Sequence, residues 1–218
     1  MIEERAAEVE GLWLDALQQV AGRAAHEIKG ALNGVCVNLE VVRSRAANHA
    51  GPASGLARFA EAAAGQLDEL IAMNEALLAL TRRPREVVDV LVTTAQLIAL
   101  LAPVARADGY SLEVAGAPAN GGGATSAPAA AVRLVLASVM LRALDRRTTT
   151  TCRVDAGDGM VIRVECADGR AIELDPRVVQ VATEAGIRVD GSPGGLSLAF
   201  PRAGRTSGRR SAPTRERA

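Results

Sequence analysis

The sequence predicts an α+β protein in which a long antiparallel helical hairpin precedes a small α/β sandwich. Before Pro84, apolar residues recur every three or four positions over two long stretches, which is the spacing of helices packed in a bundle. After Pro84, short alternating segments typical of strands lie between helical patterns. Hydrophobic residues make up 49% of the 218 residues and aromatic residues only 2%, so a folded core must consist of Ala, Val and Leu.

The first two helices are predicted over residues 3–48 and from about residue 56 to Thr81. The apolar seam of the first helix consists of Leu17, Val20, Ala24, Ile28, Leu32, Val35, Leu39, Val42 and Ala46. Gly51 and Pro52 form the turn, and Pro84 ends the second helix. One hairpin leaves part of its apolar surface uncovered, whereas two hairpins bury it as a four-helix bundle. The sequence therefore predicts a homodimer.

The second unit is predicted to contain about five strands and three helices. The helices are predicted over 93–107, 129–146 and 176–185, and the strands over 110–114, 149–155, 160–166, 187–189 and 196–200, with 87–90 as a short strand or lead-in. Residues 116–128 read as a loop, 157–159 as a turn, and 168–169 as a turn into 171–174. The predicted organisation is a hairpin of residues 1–83, an α/β unit of 84–201 and a disordered Arg-rich tail of 202–218.

Composition argues against several functional classes. The formal net charge is zero, which gives no general reason to expect nucleic-acid binding. No apolar run approaches the roughly 20 residues of a membrane span, and the first residues lack the apolar segment of a signal peptide, so we expect a cytoplasmic protein without a membrane partner. Cys36, Cys152 and Cys166 form no Cys-x-x-Cys pair and indicate neither a zinc site nor a disulfide framework.

His26 is the candidate for chemistry because it lies within the first helix but off its apolar seam. At about 100° per residue, it points roughly 200° away from Ala24 and Ile28. The residues one helical turn from it are Gly22, Arg23, Lys29 and Gly30. The two glycines leave the imidazole sterically open, and the two cations flank it. An exposed histidine that is followed by Glu27 and flanked by positive charge suits chemistry with phosphate.

Three segments together resemble the sensor histidine kinases. His26-Glu27-Ile28-Lys29 resembles the H-box, whose histidine is phosphorylated on the exposed face of a dimeric helical hairpin. Residues 87–114, with Pro103-Val104-Ala105, resemble the entry into the kinase ATP-binding domain, and residues 132–145 resemble its N-box helix. The resemblance covers about residues 5–201 and implies a helical hairpin followed by a kinase-like α/β domain.

The departures from the kinase pattern fall mainly on the nucleotide site. The family holds Mg²⁺ with an N-box asparagine, where this chain has Arg142, and Ser138 stands at the preceding asparagine position. Residues 166–170 replace the adenine-binding aspartate and its glycine turn, and no glycine-rich lid follows. In the H-box, Ala31 replaces the usual proline, and Gly30 replaces the Thr or Asn that orients a water in kinases with phosphatase activity. The resemblance therefore implies a degenerate kinase body that binds no ATP.

The function implied is that of a histidine phosphotransferase in a bacterial two-component phosphorelay. It would pass a phosphoryl group between receiver-domain aspartates through His26, with Glu27 holding the imidazole tautomer and Lys29 stabilising the phosphoryl oxygens. The residues expected to contact the partner are Arg23, Gly30 and Asn33. The expected partners are response-regulator receiver domains and a hybrid histidine kinase. No cofactor is expected in the chain itself, since the receiver would supply Mg²⁺.

The alternative is a non-catalytic adaptor, a pseudokinase that binds a response regulator or a kinase without carrying phosphate. Retention of His26 and Glu27 beside a degenerate nucleotide site favours the phosphotransferase. An active ATP-dependent kinase is a third hypothesis, and Arg142 and the missing lid count against it.

Overall fold

We describe the fold from a computed structural model, which covers residues 2–47, 53–82, 88–115, 123–155 and 160–203. Its helices are α1 (Ile2–Ala47), α2 (Ala53–Thr81), α3 (Val90–Ala107), α4 (Ala129–Asp145) and α5 (Pro176–Glu184). Its strands are β1 (Val88–Asp89), β2 (Leu112–Ala115), β3 (Ala124–Thr125), β4 (Thr150–Asp155), β5 (Met160–Cys166), β6 (Arg188–Ser192) and β7 (Gly195–Phe200). The mixed helix-and-sheet composition agrees with the predicted α+β class.

Several predicted features lie outside the described residues. They are the turn at Gly51 and Pro52, the helix end at Pro84, the first part of the 116–128 loop, the 157–159 turn and the tail beyond residue 203. Of the predicted tail, Arg202 and Ala203 are described, and Arg202 forms an antiparallel bridge with Thr125.

Helices α1 and α2 lie side by side and run in opposite directions. The guanidinium of Arg45 lies 5.1 Å from the centroid of the Phe59 ring, and the Asn38 side chain donates a hydrogen bond of 3.1 Å to the Gln66 side chain. Gly34 allows this close approach, because a Cβ atom at that position would collide with the Gln66 amide. The antiparallel arrangement follows from these contacts, since rising positions on α1 meet falling positions on α2.

The main sheet has five strands in the order β2-β4-β5-β7-β6. The β2–β4 pair is parallel and the other pairs are antiparallel. One face carries buried residues such as Cys152, opposite Val164 in the register, and Ile162, opposite Leu198. The other face carries exposed residues such as Arg163. This alternation is that of a sheet covered on one side by helices, here α3, α4 and α5.

The second unit differs from the prediction at several places, including the end of β6, which extends to Ser192 instead of residue 189. Helix α3 begins at Val90 rather than at residue 93, because the Asp89 carboxylate accepts hydrogen bonds from the backbone N–H groups of Leu91 and Val92 at 2.8 and 3.1 Å. The predicted loop contains the short strand β3, which pairs with β1. Residues 171–174 form no strand.

The first half of α1 packs on the α/β unit, so the two predicted units share one core. Buried residues of α1 and the end of α2 belong to the same cluster as those of α3 and α4; they include Trp13, Val20, Ala24, Met73, Leu80, Leu97, Leu101, Val132 and Val135. Arginines also link the two units. Arg5 binds the carboxylate of Glu184 through two nitrogens at 2.6 and 3.0 Å, and Arg106 binds Glu69 at 2.9 Å.

One described helix, α3, is long and apolar enough to cross a membrane by length and composition alone. Its residues Leu97, Leu100 and Leu101 are fully buried within the protein. This burial is what is expected of the core helix of a folded domain.

Candidate functional site

His26 lies on the exposed side of α1, opposite the buried residue Ala24. Its imidazole makes no hydrogen bond or ion pair with any residue that the structure describes. A Cβ atom added at Gly22 or Gly30 would meet nothing within 4 Å. The helix surface one turn before and one turn after His26 is therefore open at both glycines.

The other predicted site residues of α1 differ in how exposed they are. Lys29 and Asn33 are exposed, and Lys29 has no ion-pair partner among the described residues. Glu27 is half-buried. In the structure Glu27 makes no hydrogen bond with His26, so the predicted contact that would hold the tautomer is not formed. Lys29 is the cation left available near the imidazole.

Glu27 and Gly30 line a groove of about 310 Å³ between α1, α2 and α3. The Glu69–Arg106 ion pair lies in the wall of this groove and joins α2 to α3. The groove places part of the α/β unit within one helical turn of His26. A partner that docks at His26 therefore meets side chains from three helices.

Arg23 does not project freely toward the imidazole. Its guanidinium binds the Asp145 carboxylate at 2.6 Å, at the end of α4. The predicted partner-binding residue therefore links α1 to the α/β unit one helical turn before His26. Sequence reasoning could not find this contact, because the two residues are 122 positions apart and no motif connects them.

Tyr110 lies at the same junction. Its hydroxyl donates a hydrogen bond of 3.1 Å to the backbone carbonyl of Leu144, in the last turn of α4. Burial raises the pKa of Tyr110, as does the nearby Asp108 carboxylate, while Arg23 lowers it. The end of α4 and the turn before β2 are thus held together beside α1.

A second cavity, of about 250 Å³, lies where the sequence resemblance puts the nucleotide site. Its lining includes Ser138 and Arg142 of α4, while α1 forms one wall. Three carboxylates and two guanidiniums face this cavity; they belong to Asp15, Asp145, Asp175, Arg142 and Arg177. Two of these carboxylates are paired with arginines, Asp145 with Arg23 and Asp175 with Arg177.

In this cavity Arg142 stands at the position where the sequence resemblance expects the magnesium-binding asparagine. Arg142 is a cation and cannot bind Mg²⁺, which requires oxygen ligands. Asp175 is bound by the Arg177 side chain at 3.0 Å, and this contact lowers the pKa of the Asp175 carboxyl. No group of three or more His, Cys, Asp or Glu side chains is placed to hold a metal ion within the described ranges. The described lining therefore differs at Arg142 from the kinase pattern that the sequence resembles.

Comparisons with known proteins give limited similarity. No family model and no curated protein sequence matches the chain. Among solved structures, the chain is similar to the histidine kinase AdeS of Acinetobacter baumannii, with 10% identity and a TM-score of 0.35 over 82% of this chain and 98% of that one. It is also similar to full-length ShkA in complex with AMPPNP, with 15% identity and a TM-score of 0.32 over 85% of this chain and 47% of that one. Identities and TM-scores this low do not allow a function to be inferred for this chain from either protein.

Proposed function

We propose that the protein is a histidine phosphotransferase that exchanges a phosphoryl group with receiver-domain aspartates through His26. The observation that carries the proposal is the exposed imidazole, which has no hydrogen-bond or ion-pair partner among the described residues and is bordered by open space at Gly22 and Gly30. A large protein partner can approach such a side chain, whereas a buried or hydrogen-bonded histidine would first have to be released.

The transfer requires no cofactor in this chain. A lone pair on one ring nitrogen of neutral His26 attacks the phosphorus of the aspartyl phosphate. A P–N bond forms, the P–O bond to the aspartate breaks, and the carboxylate leaves with the electron pair. In this proposal Lys29 stabilises the phosphoryl oxygens during the step. Reversal of the step onto a second receiver regenerates neutral His26.

The proposal includes no ATP-dependent step. Support for this comes from the cavity between α1 and α4, where Arg142 stands at the position of the metal-binding asparagine of the kinases that the sequence resembles. The first half of α1 also covers this part of α4. Phosphate would therefore reach His26 from a protein donor.

We also propose that the working form is a homodimer built through α1 and α2. Large apolar side chains are about half exposed on one side of these helices; they are Leu32, Leu39, Leu67, Ile71 and Leu78. Leu32 lies about 120° around α1 from His26, by the helical periodicity. A second copy would cover this apolar surface and leave His26 exposed.

The phosphotransfer step can be tested with labelled receivers. Receiver domains from the same genome are phosphorylated with radiolabelled acetyl phosphate and mixed with the full chain. We expect acid-labile, alkali-stable label on the wild-type protein and none on His26→Ala. His49→Ala is the matched control, because His49 is the other histidine of the chain, and it should retain the label.

Two results would contradict the proposal. If the wild-type protein takes no label from any receiver but binds one of them, it acts as an adaptor. If it takes label directly from radiolabelled ATP and Mg²⁺, with no receiver present, it is a kinase.

A further inference from the structure

Arg147 has an unusual backbone conformation for its residue type. Helix α4 ends at Asp145, Arg146 is its C-cap, and Arg147 follows with a φ of 50°. It is the one non-glycine residue with a positive φ among those described. Glycine normally occupies this position after a helix, because a positive φ is sterically unfavourable for other residues.

The Arg147 guanidinium forms no ion pair with any residue that the structure describes. Its neighbour Arg146 binds the Asp168 carboxylate at 3.4 Å and the carbonyl of Ala171. Asp145 is bound by Arg23. The Arg147 side chain is exposed and makes no hydrogen bond or ion pair with any described residue, although its backbone N–H donates to the carbonyl of Leu144 at 2.9 Å.

Arg147 belongs to the edge of the α/β unit that faces the His26 region. Asp145, two residues earlier, contacts Arg23, which is one helical turn before His26. Arg23 and Arg147 both act electrostatically on the hydroxyl of Tyr110. Arg147 is therefore an exposed guanidinium of the α/β unit two residues after the contact with Arg23, which lies one helical turn before His26.

We infer that Arg147 is a docking residue that binds carboxylates on the receiver surface around the phosphorylated aspartate. The inference rests on the proposed function, which requires an acidic partner at His26. A planar guanidinium can form two parallel hydrogen bonds with a carboxylate, which gives both attraction and orientation. The partner would then be held at two points, by α1 at His26 and by the α/β unit at Arg147.

The test compares Arg147→Gly with wild type in the transfer reaction. The probe is the labelled receiver that reacts fastest with the wild-type protein, and the initial rate is measured against receiver concentration. We expect KM to rise about tenfold with kcat changed less than twofold, since a contact to a charged group is lost before the chemical step. We also expect the KM of the variant to depend less on salt than that of wild type.

Glycine separates docking from a structural role, because it adopts a positive φ without strain. The free energy of unfolding of Arg147→Gly should therefore equal or exceed that of wild type. Arg147→Lys keeps the charge and should give an intermediate KM. The matched control is Arg163→Ala, which removes an exposed arginine from the outer face of the sheet and should leave KM unchanged.

An unchanged KM for Arg147→Gly would overturn the inference, as would an equal rise in KM for Arg163→Ala. So would a loss of kcat without a change in KM. These results all require a wild-type protein that takes label. A wild-type protein that takes none contradicts the proposed function itself, so the two failures are distinguishable.

Discussion

At the scale of single residues, the helical periodicity predicted where His26 points, and the structure agrees. Position on a helix follows from local spacing alone, which is why His26, Lys29 and the open space at Gly30 could be inferred from the sequence. The fate of Arg23 could not, because its partner Asp145 comes from another element and the contact depends on how α1 packs against α4. The conformation of Arg147 could not be predicted either, because its φ depends on how α4 ends.

The three cysteines should differ sharply in reactivity. Burial raises the pKa of Cys152 to about 12, and it also raises the pKa of Cys166. Both therefore remain protonated thiols near neutral pH, whereas Cys36 is exposed. We expect a disulfide reagent at pH 8 to modify one thiol rapidly in the folded protein and all three in denaturant. Cys36→Ser should remove the rapid phase, and three rapid thiols in the native wild type would contradict the prediction.

At the scale of elements, local signals predicted most of the second unit, and the errors occur where one element depends on another. The alternating patterns of β4, β5 and β7 predicted strands that the structure contains, because in each strand one face is buried and the other is more accessible. Strand β3 was missed, since two residues carry no periodicity and pair only because β1 lies opposite. The early start of α3 depends on the Asp89 side chain.

The glycines of α1 provide a test of its packing. Gly22→Ala and Gly30→Ala should each raise the free energy of unfolding by about 1 kcal/mol, since alanine favours the helix and the added methyl group meets open space. Gly34→Ala should raise the free energy of unfolding much less, because its methyl group would displace the Gln66 side-chain amide, whose oxygen accepts a hydrogen bond from Asn38. Urea unfolding followed by circular dichroism would measure all three. An equal gain for Gly34→Ala and Gly30→Ala would refute the close packing at Gly34.

At the scale of the whole molecule, α1 packs against two different parts of the protein. Its first half is buried against α3 and α4, and its second half lies beside α2 with apolar side chains partly exposed. The predicted boundary near residue 84 therefore separates segments of sequence but not independent cores. Hydrophobic patterning showed that α1 has an apolar face, but could not show which partner covers each part of it.

The proposed dimer makes a prediction at this scale. Leu32→Glu and Leu67→Glu each put a charge on the exposed apolar surface of α1 and α2, where a second copy would have to desolvate it. Light scattering should show twice the chain mass of 22.5 kDa for wild type and the chain mass for both variants. Val37→Glu is the matched control: Val37 is 64% exposed but lies about 140° around α1 from Leu32, so its dimer should persist. A monomeric wild type would contradict the dimer.

The position of the rarest side chains gives the molecule two built-in optical reporters. Trp13, the sole tryptophan, is 8% exposed and lies under Arg133, whose guanidinium also binds the carbonyls of Leu80 and Arg82 at the end of α2. Tyr110, the sole tyrosine, lies at the junction beside Arg23. Tryptophan emission therefore reports on the contact between α1, α2 and α4, while tyrosine absorbance reports on the edge near His26. Without any label, the two ends of the α1–α4 contact can be followed separately.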